Sequence, residues 1–314
     1  MKSIIYIILA GCLWGIISIF VNILTGIGFT SLECVAIRTS IAALILFLYL
    51  LFTDKSKLKI QLKDIIYFIG TGIFSIVFFT YCYFEAIEVI GGAAIPALLL
   101  YTAPIFVMVL SAIFFKEKMT SRKVIALVMT FVGLGFVTGA FTGGENLSPM
   151  ALVLGLGSGF GYALYSIFGK LVVDKYDAVT ITFYTFAVAT IGAVPISGLT
   201  KDIGMVFSLK GIFAAIGLGF FSTALAFLLY TKGLGGIEAG KASILATVEP
   251  FVATIVGAFL FNEEFNIPKV TGMLLILFAI CYLNFTKKDK EVNWFVQYLY
   301  KRLSNNCHCT YFDK

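Results

Sequence analysis

A single carboxylate, Glu249, stands near the middle of a long apolar segment, immediately before Pro250. A lone carboxylate at bilayer depth holds a proton, meets a cation or bonds a neighbouring helix. The first two are carrier chemistry: a coupling proton, or the ammonium of a substrate. The third is structural. Arg38 is a second charge inside an apolar run, about two helical turns from its start. It reads best as half of a structural ion pair with Glu33, Glu85 or Glu88; the alternative is a clamp on a substrate carboxylate. Trp14, Tyr81, Tyr101, Tyr162 and Tyr165 add aromatic surface away from the segment ends. Buried Tyr hydroxyls need partners, and an aromatic wall suits amphipathic or cationic solutes. For any one of them, ordinary packing is the competing reading.

Other chemistries lack their residues. No apolar segment contains His, and no paired carboxylates or nucleophile–base set occurs at depth, so an enzyme is not expected. The six Cys are scattered, and their spacing suggests no disulfide framework. Cys307-His308-Cys309 holds the only His and offers too few ligands for a metal centre. No metal or cofactor is expected.

Long helices must position these residues. Of 314 residues, 60% are hydrophobic and 13% charged, against roughly 25% charged in soluble domains. The mean hydropathy is +1.00. This describes an integral membrane protein with a lipid environment. The net charge of +6 does not point to nucleic acid, because Lys and Arg sit between apolar runs. About 20 apolar residues cross the hydrocarbon core. Spans are expected near 4–24, 31–52, 65–86, 91–115, 122–141, 150–172, 178–198, 210–231, 238–261 and 267–286. Leu9-Ala10-Gly11-Cys12 resembles a lipoprotein cleavage signal, but the apolar run continues through Leu13-Trp14-Gly15, so an uncleaved first span is expected. The loops after spans 2, 4, 6 and 8 hold twelve Lys and Arg; those after the odd spans hold Lys201, Lys210 and Lys269. By the positive-inside rule both termini are cytoplasmic, with the plasma membrane as the expected location.

The fold class expected is all-α, ten transmembrane helices arranged as two inverted five-helix repeats. Residues 11–137 and 157–283 align at a constant offset of 146, pairing Gly15 with Gly161 and Pro104 with Pro250. Five spans per copy is odd, so the second copy enters the membrane upside down, as in alternating-access carriers. The units expected are 1–141, 149–286 and a basic, amphipathic tail at 287–314. Pro96, Pro104 and Pro250 are hinge candidates, because proline frees a carbonyl four residues earlier. Glycines at 155, 157, 159 and 161, and at 135 and 139, are read as close packing within the chain, with a dimer face as the alternative.

Several short stretches, in this order and duplicated, resemble the drug/metabolite transporter superfamily, in particular its ten-helix EamA-type permeases. They are Gly11-Cys12-Leu13-Trp14-Gly15, Ala36-Ile37-Arg38, Tyr83-Phe84-Glu85-Ala86-Ile87, Ala103-Pro104-Ile105, Lys116-Glu117-Lys118, Val248-Glu249-Pro250-Phe251 and Asn262-Glu263-Glu264. The resemblance covers residues 1 to about 286. It implies a secondary transporter with a cavity walled by spans 1, 3, 4, 6, 8 and 9. Members of that family move amino acids, nucleosides, sugars or choline-like cations, often outward. Tyr184 stands where the family has a second Arg, and Ala126 and Ala279 where Gly is usual. Glu117 and Glu263 match loop-end positions and read as helix-end structure. The function expected is a carrier for a small-molecule substrate, an amino acid or relative, with choline or drug-type cations as the alternative. The chain is expected to act as a monomer or weak homodimer.

Overall fold

The computed structural model describes residues 1–141, 148–199, 203–261 and 266–284. Among them ten helical spans are long and apolar enough to cross a bilayer. Spans 1 to 5 are Lys2–Ile27, Ser31–Thr53, Leu62–Ile90, Ala94–Phe115 and Ser121–Thr138. Spans 6 to 10 are Pro149–Val172, Ala178–Ser197, Leu209–Leu234, Ala239–Leu260 and Ile267–Asn284. The chain is an all-α, multi-pass membrane protein. The expected tail, with Cys307-His308-Cys309, and Glu263 lie outside the described residues.

Local chemistry sets the ends. Span 2 opens on a capping box in which Thr30 accepts from the Glu33 amide and Glu33 reaches back to the Thr30 amide. Ser148 caps span 6 from in front of Pro149, accepting from the Ala151 amide at 3.1 Å. Spans 3, 5 and 7 end on Gly91, Gly139 and Gly198, whose φ values of 74°, 75° and 76° favour glycine. Gly139 therefore terminates span 5; it is not half of a packing stripe with Gly135.

Five spans are irregular. Span 1 divides at Ile16 into helices Lys2–Gly15 and Ile17–Ile27. Spans 3 and 8 carry π-helical segments at Gly70–Val77 and Phe220–Leu225. Spans 4 and 9 break at Tyr101-Thr102 and Ala246-Thr247, where ψ is 10°, −10°, −17° and 4° rather than about −42°. The hinge candidates need correcting in position. Pro104 is the second residue of Ala103–Phe115, and Pro250 the third of Val248–Leu260. Both begin a helix, where a missing N–H costs nothing, and the break precedes them. The Ala246 carbonyl, expected to be freed by Pro250, accepts from the Glu249 amide at 3.0 Å. Pro96 is the third residue of Ala94–Leu100 and so interrupts no helix.

Glycine lets backbones meet around these breaks. A Cβ on Gly11 would lie 2.9 Å from the Ala246 carbonyl oxygen, and one on Gly15 2.8 Å from that of Glu249. Span 1 thus rests directly on the break of span 9. Span 6 does the same to span 4, with a Gly159 Cβ falling 2.8 Å from the Leu99 carbonyl oxygen. Spans 5 and 10 meet at Gly133, whose Cβ would lie 2.8 Å from the Gly272 carbonyl oxygen.

Candidate substrate-binding site

One cavity of about 340 Å³ occupies the centre of the bundle. Spans 1, 2, 3, 4, 6, 8 and 9 line it, and spans 5, 7 and 10 contribute nothing. It runs from Glu249, the eleventh of 22 residues in span 9, to Ser31 at the start of span 2. Its wall is mostly aromatic and aliphatic, including Trp14, Phe79, Tyr83, Phe84, Tyr101, Tyr162 and Phe227.

Glu249 sits in the first turn after the span 9 break, where unpaired helix amides attract negative charge. The Tyr162 hydroxyl donates to its Oε2 at 3.3 Å, and the Tyr101 hydroxyl is a second hydrogen-bond partner. Two tyrosines from spans 6 and 4 therefore orient the carboxylate on the cavity wall.

Arg38 lines the same cavity, which differs from its expected pairing. Glu33 is committed to its capping box, with Oε2 accepting from the Thr30 amide at 2.7 Å and the Thr30 hydroxyl at 3.0 Å. Arg38 instead donates from Nε to Thr223 Oγ1 at 3.2 Å, and its guanidinium carbon lies 6.0 Å from the Phe227 ring centre. Thr223 belongs to the π-helical segment of span 8 and donates to the Leu218 carbonyl at 2.8 Å. That segment thus holds Arg38 at the cavity wall, where Glu249 is the one lining carboxylate.

The aromatic candidates divide. Trp14, Tyr101 and Tyr162 line the cavity. Trp14 is wedged against Phe227 and Tyr230 at ring separations of 4.9 and 5.3 Å, and its indole N–H is buried without a hydrogen-bond partner. Tyr165 lies below the cavity, bonded to Thr231 Oγ1 at 2.7 Å. With Trp14 and Ser75 it lines a separate pocket of about 10 Å³. Tyr81 is 45% exposed on the outside of the bundle and is no cavity residue. Its neighbours Phe79, Thr80, Tyr83 and Phe84 form the inner face of span 3. Sequence reasoning missed Phe227, although it is the partner of Tyr81 at the 146-residue offset. It also missed Thr223, for which the sequence holds no signal.

The lysine-rich end of the bundle, here the basic face, is tied across the two halves of the chain. Lys57 pairs with Asp177, and Lys175 with Asp64. Tyr176 donates to Asp64 at 2.5 Å, and Tyr184 to the Leu58 carbonyl at 2.6 Å. Their aspartates hold both lysines above the ordinary lysine range. On the alkaline side these bridges therefore persist through neutral pH until the lysines lose their protons. Beside them, Glu117 accepts from the Ala239 and Gly240 amides at 2.7 and 3.1 Å, and Lys123 pairs with Glu238 at 2.6 Å.

A buried cavity between two five-span halves defines a carrier-like architecture, and comparison with known proteins agrees. The family model of EamA-like transporters matches the chain twice, over residues 1–139 and 149–285. The chain belongs to the EamA-like transporter family. It is 30% identical over 226 residues to an uncharacterized transporter of Archaeoglobus fulgidus, covering 71% of this chain and 78% of the relative. It is 25% identical over 261 residues to the uncharacterized transporter YyaM of Bacillus subtilis, covering 80% and 84%. A solved crystal structure, 17% identical, superposes with a TM-score of 0.73 over 90% of this chain and 96% of that one, a likeness of fold.

Proposed function

We propose that this transporter is a secondary-active, alternating-access carrier for a small zwitterion, an amino acid or close relative. One observation carries the reading: Arg38 from the first half and Glu249 from the second are the two charged residues lining a single, otherwise mostly apolar cavity. A guanidinium suits a substrate carboxylate and a carboxylate suits its ammonium, while the aromatic wall takes an apolar side chain. A cavity of about 340 Å³ is in the range of small-molecule sites.

Glu249 also suits a coupling proton. A proton and a substrate ammonium compete for one carboxylate, so each passage of the carrier takes one or the other. An inward proton gradient then drives substrate outward, matching the habit of the family. The lysine-rich loops support the sidedness proposed: the basic face cytoplasmic in the plasma membrane, with the cavity reaching toward the outside. The odd number of spans per half makes the halves an inverted pair.

The test uses purified protein in liposomes loaded with labelled neutral amino acids. Release should accelerate when the outside is made acidic, and unlabelled substrate should support counterflow. A second reading, a carrier for choline-like cations, draws on the aromatic wall alone. It takes over if choline, and no amino acid, supports counterflow.

A further inference from the structure

We propose that Glu117 is the gating residue of the basic face, and that its release from span 9 is the step that opens the cavity to that side. This rests on the alternating-access reading but on no particular substrate. Glu117 lies in the first half of the chain, beyond span 4. Both its carboxylate oxygens accept backbone amides of the second half, Ala239 at 2.7 Å and Gly240 at 3.1 Å. These are the first two amides of span 9, which a helix leaves without internal partners. The residue in the capping position, Glu238, supplies no side-chain cap; it pairs with Lys123 of the first half at 2.6 Å. Among the described residues, Glu117 and the Lys123–Glu238 ion pair therefore hold the start of span 9 from the other half of the molecule.

Residue 240 is glycine, which leaves room for the Met108 side chain. A Cβ there would stand 3.5 Å from Glu117 Oε2 and 3.2 Å from the Met108 side chain. What makes the Glu117 contact a gate rather than a brace is its place on span 9. The segment Ala239–Leu245 ends at the Ala246-Thr247 break, and Glu249 is the second residue beyond it. The Glu117 contact and the substrate carboxylate thus sit on the two sides of one hinge. Ser243, between them, lines a pocket of about 10 Å³ together with Glu249. Swinging Ala239–Leu245 away from Glu117 would join that pocket to the basic face. The same swing would alter the turn that presents Glu249, so site and gate move together.

The experiment reads the thiol of S243C with a membrane-impermeant maleimide applied from the basic face, quantified by peptide mass spectrometry. With Glu117 intact, labelling should be slow. E117A should speed it at least tenfold, and E117Q, which keeps an acceptor but not the charge, should fall between. Unchanged labelling in monodisperse E117A or E117Q protein overturns the proposal. A second measurement guards against a variant that fails to fold. K123C/E238C, bridged by a bis-methanethiosulfonate that joins both thiols through disulfides and releases methanesulfinate, should lose transport and recover it on reduction with a thiol; full-rate transport in the bridged protein also overturns the proposal. The labelling assay needs no substrate, and the transport assay uses whichever of amino acid or choline supports counterflow, so failure of the amino-acid reading leaves the labelling result interpretable.

Discussion

At the residue scale, the site depends on two charges that differ in how they are held. Glu249 has tyrosine partners from two spans, whereas Arg38 has Thr223 and the edge of an aromatic wall. Removing one member of a desolvated charge pair typically costs about 2–5 kcal/mol. E249Q keeps the shape and the tyrosine contacts but removes the carboxylate that the proposed function uses both as proton site and as ammonium partner. It should abolish acid-driven release from liposomes and weaken substrate binding by at least about thirtyfold, the lower end of that range. Acid-driven flux at the wild-type rate would remove Glu249 from the mechanism. Much of this was legible in the chain: a lone carboxylate before a proline in an apolar run has few uses. Arg38 was harder. Its neighbours in sequence include a carboxylate, Glu33, and only the Thr30-Ser31-Leu32-Glu33 spacing signals that a capping box has already engaged it.

At the element scale, the spans were readable because a 20-residue apolar run is a length requirement, independent of partners. Their irregularities were not. The π-helical turns of spans 3 and 8 have no compositional mark, yet they place Thr223 against Arg38 and set which face of span 3 looks inward. That is why Tyr81 faces outward. The prolines signalled the breaks of spans 4 and 9 but not their position, since each proline starts a helix rather than bending one. Two glycines separate packing from function. G133V would force side-chain carbons into the Gly272 backbone between spans 5 and 10, which do not line the central cavity. It should destabilise by about 1–3 kcal/mol, as overpacking does. Its melting temperature should fall while the KM of the surviving protein stays unchanged. G15V makes the equivalent clash against the Glu249 carbonyl. It should lose substrate binding as well as stability, and unaltered KM there would show that span 1 does not set the geometry of Glu249.

At the scale of the whole molecule, the two halves share a backbone plan and divide the chemistry. Breaks recur at Tyr101-Thr102 and Ala246-Thr247, and π-helical turns recur in spans 3 and 8. Arg38 and its offset partner Tyr184 serve opposite ends: one lines the cavity, the other ties span 7 to the Leu58 carbonyl at the basic face. Each half so contributes one charge to the site, and a zwitterion spanning the cavity would touch both at once. A ligand that binds only the folded state stabilises it by RT ln(1 + [L]/Kd). An amino acid engaging Arg38 and Glu249 together should raise the melting temperature. The matching primary amine, lacking the carboxylate, and the matching carboxylic acid, lacking the ammonium, each meet one half and should stabilise less at equal concentration. In R38Q the amine should keep its effect while the amino acid falls to the level of the amine. Thermal melts of the five combinations decide the matter: equal stabilisation by amine and amino acid in the wild type would mean that Arg38 does not read the carboxylate, and that the halves are not bridged by the substrate.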